Sequence, residues 1–122
     1  MTTPQMTTPQ MHLDRFAFAV ICPLEIEALA MKRQLDENKH YGKFSDDCNF
    51  TLGGIGEHNI VITSFPVGRQ GRSSAAFAAQ QTKAKFPNIR YVLLVGIAGG
   101  VPSNENDIRL GDIVVSFPTG RF

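Results

Sequence analysis

No stretch of this chain approaches the ~18 consecutive apolar residues that a membrane-spanning helix requires, so no membrane role is expected. Neither charge dominates: 12 Lys and Arg stand against 11 Asp and Glu, a formal net charge of +1. A nucleic-acid binder usually carries a basic excess on one face, so neither DNA nor RNA is expected as a partner. Cysteine is scarce. Cys22 ends an apolar run, Cys48 lies in a polar stretch, and two residues so placed imply no disulfide framework. With no secretory signal in view, both read as free thiols in a reducing, cytoplasmic or otherwise intracellular compartment. His12, His40 and His58 are scattered, and no spacing among them or with the cysteines resembles a metal site. No cofactor is implied.

What remains is an ordinary globular composition, 43% hydrophobic and 19% charged over 122 residues, enough for one domain at most. The amino terminus repeats Met-Thr-Thr-Pro-Gln in tandem, without the basic start and apolar core of a signal peptide. Residues 1–14 are expected to form a disordered tail, and residues 15–122 the domain.

Residues 16–22 read as a buried strand stopped by Pro23. Residues 24–37 place Leu24, Ala28, Met31 and Leu35 at helical spacing. Residues 38–49 are polar and expected to be mobile. Residues 50–52 and 60–65 flank Gly53-Gly-Ile-Gly-Glu-His-Asn59, which predicts a hairpin with a glycine-rich turn. Residues 73–85 are alanine-rich and unbroken, a second helix ended by Pro87-Asn88. Residues 89–95 and 112–117 predict two further strands, separated by a polar loop over 103–107. This order predicts an α/β fold, a mixed central sheet flanked by helices. Its strands look buried on both faces, yet two helices cover only part of such a sheet. The domain is therefore expected to be incomplete at its carboxyl end, with a homodimer as the alternative cover for a bare face.

The most informative stretch is Tyr91-Val-Leu-Leu-Val-Gly-Ile-Ala-Gly-Gly-Val-Pro102, followed by Arg109-Leu-Gly-Asp-Ile-Val-Val-Ser116. An apolar β-branched run ends in glycines, which leave backbone N–H groups open to close approach. In open α/β sheets ligands sit in the crevice beyond the strands' carboxyl ends, so these glycines mark a small-molecule pocket.

With Ile21-Cys-Pro-Leu-Glu-Ile-Glu-Ala28, Gly96-Ile-Ala-Gly-Gly100 and Leu110-Gly-Asp-Ile-Val-Val115 in that order, the chain resembles the amino-terminal portion of the nucleoside phosphorylase/nucleosidase superfamily. The likeness is to methylthioadenosine/S-adenosylhomocysteine nucleosidases, and most of all to nucleosidase-like domains of fungal multidomain proteins. In those the domain often precedes a nucleotide-binding switch module and repeats. The resemblance implies cleavage of the N-glycosidic bond of a purine nucleoside or nucleotide by the full-length protein, in nucleoside metabolism or as an effector domain. It also implies that a ribose-binding glutamate and an acid for the base lie in a carboxyl-terminal half, so these 122 residues alone are expected to be inactive.

On this resemblance Glu27 is the catalytic candidate, matching the glutamate that positions the attacking water. The residues alone also allow Glu25 and Glu27 to be first-turn carboxylates that suit a helix dipole. Ile97, Ala98, Gly99 and Gly100 become the substrate-binding loop, although Gly-Gly is also common in plain tight turns. Ile97 stands where the bacterial enzymes commonly carry a hydroxyl, and Leu94 where one phosphorylase branch places a phosphate-binding arginine. Both favour hydrolysis over phosphorolysis, in which phosphate would be the co-substrate, and both leave room for a catalytically inactive binding or interaction module. Gly68, Arg69, Gly71 and Arg72 form a candidate anion site at a helix start. The alternative is a Ser73 or Ser74 cap with solvated arginines. Asp112 reads as a structural turn residue.

Overall fold

The computed structural model describes residues 12–65 and 72–116, the last range by backbone alone over 72–74. After a 3-10 turn at Leu13–Arg15 come strand β1 (Phe18–Cys22), helix α1 (Glu25–Lys32), and strands β2 (His40–Ser45), β3 (Asn49–Ile55) and β4 (His58–Ser64). Helix α2 (Arg72–Lys85) and strand β5 (Tyr91–Leu94) follow. They build one mixed sheet in the order β2-β3-β4-β1-β5. β1 runs parallel to both β4 and β5, while β2, β3 and β4 form an antiparallel meander.

β1 sits inside the sheet because every one of its residues is apolar. Alternate side chains serve different cores, since a strand's side chains alternate between faces. Ala19 and Ile21 join Phe16, Phe50, Leu52, Val61, Ala78 and Phe86 on the α2 side. Val20 and Cys22 join Ala28, Leu35, Ile60 and Ile62 on the α1 side. The double burial read for this run therefore holds, with one helix for each face. Thr82 of α2 donates to Ala78 O at 2.7 Å, so its oxygen is left to accept from Thr63 of β4 at 2.9 Å. That hydroxyl pair is buried and fixes α2 over the sheet.

Several expectations need correction. Residues 38–49 are not a mobile loop, because residues 40–45 form β2. Tyr41 and Phe44 are three apart, which breaks the strand period of two. A register shift between His40 and Gly42, with Gly42 at φ 119°, absorbs the extra residue. Tyr41 and Phe44 consequently both pack against the α2-side core. The hairpin turn is also shorter than expected: Ile55 pairs with His58, leaving Gly56-Glu57 as the loop, with Gly56 at φ 61°. Gly53 and Gly54 belong to β3 instead. A β-carbon on Gly53 would lie 2.4 Å from Leu35 Cδ1 and 2.9 Å from the Lys39 carbonyl oxygen. α1 stops at Lys32 rather than continuing to 37, because the chain must bend to drop Leu35 into that space.

The carboxyl-terminal apolar runs differ most from expectation. β5 pairs with β1, but both of its faces are open, with Leu94 68% exposed. Residues 112–116 form no ladder with any described residue, and Ile113 is 89% exposed. Strand geometry comes from pairing, and β-branched composition alone does not supply it. Asp112 does hold a turn, as expected: its carboxylate accepts the Arg109 N–H at 2.9 Å while its own N–H donates to Arg109 O, around Gly111 at φ 88°. Cys48, read as part of a polar loop, is buried against the α2-side core. No disulfide joins it to Cys22.

Candidate functional site at the tips of β1 and β5

Pro23 stops β1 and Leu24 takes the amino-cap position of α1, which puts Glu27 on the third helical residue. From there a glutamate side chain reaches back to the cap, and Glu27 Oε1 accepts the Leu24 N–H at 2.7 Å. Leu24 has no side-chain acceptor to return the bond, so half of the capping box is present.

The other oxygen has a distant partner. Parallel pairing aligns Ile21 with Leu94, and the Val95 N–H donates to Ile21 O at 3.0 Å, so the two strands end side by side. Gly96 and Ile97 then pass beside the start of α1, and Glu27 Oε2 accepts the Ile97 N–H at 2.6 Å. Glu27 is 7% exposed, and its carboxylate bridges two elements 70 residues apart. Hydrogen bonds of backbone amides to an ionised carboxylate are shorter and stronger than neutral ones. Glu25 turns the other way and pairs with Lys32 at 3.8 Å on the surface.

Cys22 lies under this corner. Its thiol is pushed up from 9.0 to about 11, first by burial and second by the negative charge of Glu27, with Lys32 opposing. A raised folded value means this thiol's contribution to stability is complete below the unfolded value and is lost as pH rises through the folded one. The stability of the chain should therefore decline between pH 9.0 and about 11 through this group. Denaturant midpoints of the protein and Cys22→Ala across that range would show it, the variant losing this portion of the decline. Iodoacetamide should label Cys22 slowly until the chain unfolds.

Beyond Ile97 the loop stays open. The Ile97 side chain is 74% exposed, and a β-carbon on Gly99 would meet nothing within 4 Å. A β-carbon on Gly100 would lie 2.7 Å from Ile108 Cγ2. The structure thus brings Glu27 together with the Gly96-Ile97 backbone, while Ala98, Gly99 and Gly100 continue along an exposed segment. Gly68, Arg69 and Gly71 lie outside the described residues, and of Arg72 only its place at the start of α2 is described. Among the described residues no three His, Cys, Asp or Glu side chains are grouped as a metal site would require. No described helix is long and apolar enough to cross a membrane.

Sequence reasoning missed the Leu24 N–H as a partner of Glu27. The signal was a glutamate three residues after a cap position, obscured because the cap is leucine instead of serine or threonine.

Comparison with known proteins places the fold in a family. The chain is 40% identical over 116 residues to a nucleotide-binding leucine-rich repeat (NLR)-like protein of Hyaloscypha variabilis. That match covers 93% of this chain and 12% of the relative, so the chain spans about one eighth of that protein's length. No solved structure matches the chain significantly. The profile of the Phosphorylase superfamily matches residues 17–117, nearly all of the described fold, and the chain belongs to that superfamily.

Proposed function

We propose that this chain supplies the sugar-side part of a domain that hydrolyses the N-glycosidic bond of a purine nucleoside or nucleotide. The observation that carries this reading is the seat of Glu27, a nearly buried carboxylate held against the glycine-rich backbone where two parallel strands end. A carboxylate offers about four lone-pair sites. Two are engaged by Leu24 and Ile97, so two remain to accept hydrogen bonds from a water or a sugar hydroxyl. In the hydrolytic step the water oxygen bonds to the anomeric carbon and the carbon–nitrogen bond breaks, its electron pair leaving with the base. Glu27 takes the water's proton, and an acid from elsewhere in the longer protein protonates the base. Ile97 and Leu94 offer no side-chain donor to hold phosphate at the loop, which supports water over phosphate as the nucleophile.

The activity belongs to a longer protein of the kind the NLR-like relative represents, in which this domain would act as an effector or sensor. Binding without turnover is the second reading. It is favoured by the same bonds, since both oxygens of Glu27 already hold backbone amides and Ile97 brings no hydroxyl.

Release of free base from purine nucleosides and nucleotides, followed by chromatography with the longer protein, tests the proposal. Base should appear without added phosphate, and Glu27→Gln should slow it by about a hundredfold or more, the usual scale for losing an acid–base group. Undiminished release by that variant removes Glu27 from the reaction. Release of sugar phosphate only when phosphate is present overturns hydrolysis, and tight binding with no release supports the second reading.

A further inference from the structure

The proposed role of Glu27 depends on where its carboxylate can sit, and Gly96 borders that space. A β-carbon built on Gly96 would lie 2.9 Å from Glu27 Oε2, 3.3 Å from Cδ and 3.4 Å from Oε1. Ordinarily the end of a flexible side chain would move aside. This one is tethered at both oxygens, by bonds of 2.7 and 2.6 Å, and has little slack. The strand tip is equally fixed, because Val95, the residue before Gly96, is bonded to Ile21 O.

Gly96 is not demanded by backbone conformation. Positive φ occurs among the described glycines at Gly42, Gly56 and Gly111, and not at Gly96. The backbone at 96 would accept alanine, so the need for glycine is one of volume. Gly99, by contrast, faces open space, and a methyl group there would touch nothing.

We propose that Gly96 is a positioning residue for Glu27: the missing β-carbon at the end of β5 is the space in which the carboxylate takes both amides. It thereby fixes which lone-pair sites of Glu27 remain for a ligand's hydroxyl or water. Adding one methyl group forces the carboxylate off the Ile97 N–H while leaving every side chain that could touch a ligand unchanged. The importance of this for catalysis rests on the proposed role of Glu27, whereas the coupling itself is measurable on the 122-residue chain.

The test pairs Gly96→Ala with Glu27→Ala and reads the Ile97 amide by NMR together with the thermal midpoint. In the unaltered chain the Ile97 amide should exchange slowly and resonate downfield, as an N–H bonded to an ionised carboxylate does. Gly96→Ala should speed its exchange at least tenfold, move it upfield and lower the midpoint by several degrees. In the Glu27→Ala background, where the space is vacated, the same methyl group should change neither exchange nor midpoint. Gly99→Ala serves as the control and should leave the Ile97 amide as it was. An Ile97 amide that stays protected in Gly96→Ala overturns the proposal, as does an equal loss of midpoint in both backgrounds. A Gly96→Ala chain that fails to fold alone but folds with Glu27→Ala supports it, and failure in both overturns it. Base release by the longer protein is a separate reading: its absence discards hydrolysis and leaves the amide result standing.

Discussion

Phe86→Ala should destabilise the chain by about 3–5 kcal/mol, the usual cost of emptying a fully buried aromatic site. Phe86 lies one residue past α2, with no solvent exposure, and its N–H donates to Thr82 O at 2.9 Å. Its ring meets Phe16 edge-on at 5.5 Å and lies 5.9 Å from Phe50 and 6.3 Å from Phe44. Three separate parts of the chain, the lead into β1, strand β2 and strand β3, therefore converge on one side chain. Aromatic pairs of this geometry contribute about 0.5–1.5 kcal/mol beyond area burial, so the loss should fall toward the upper end of the range. Domains of this size are typically stable by about 5–15 kcal/mol, so much of the total is at stake. The midpoint of urea unfolding, read by circular dichroism, should move strongly downward with little change in slope. A shift equivalent to less than about 1 kcal/mol would mean that the cluster collapses around the gap, contrary to the packing described.

The same cluster shows what could be read from the sequence and what could not. β1 was legible because all its residues are apolar, and a strand sandwiched between two helices needs nothing else. α2 was legible from its alanines. β2 was not, because a bulge shifts Tyr41 and Phe44 onto one face and erases the alternation that marks a strand. The glycines of β3 misled for a related reason. Gly53 and Gly54 look like turn residues, but Leu35 and Lys39 press on Gly53 from 14 or more positions away, and Lys39 joins the His58 carbonyl in crowding Gly54. Such tertiary approach leaves no local trace. Residues 112–116 have strand composition and no strand, since a ladder also needs a partner. At the site, the residue pattern alone left Glu27 equal to Glu25 as a helix-start carboxylate, and only the resemblance raised it. The structure separates the two by their bonds: Glu25 reaches a surface lysine, while Glu27 reaches two backbone amides.

Those two bonds make Glu27→Ala the largest expected effect at the site. Hydrogen bonds to charged groups contribute about 1.5–3 kcal/mol each, and the donors they leave behind are only partly reachable by water. Removing both should cost about 3 kcal/mol or more, which for a domain of this length lowers the thermal midpoint by roughly 10 °C. Glu27→Gln is not a neutral comparison. The amide offers one oxygen where the carboxylate offered two, so either Leu24 or Ile97 must face an NH2 group, donor against donor. Its cost should lie between the native chain and the alanine variant, about 1–3 kcal/mol. The order native, Gln, Ala in thermal midpoint is therefore expected before any substrate is considered. An alanine variant as stable as the native chain would mean that the carboxylate does not join α1 to the tip of β5. If the order holds, base-release rates of the variants have to be compared below the lowest midpoint. A hundredfold loss for Glu27→Gln under those conditions would come from the strand tips themselves, as lost basicity together with the displaced amide of Leu24 or Ile97, because the fold as a whole would still be intact.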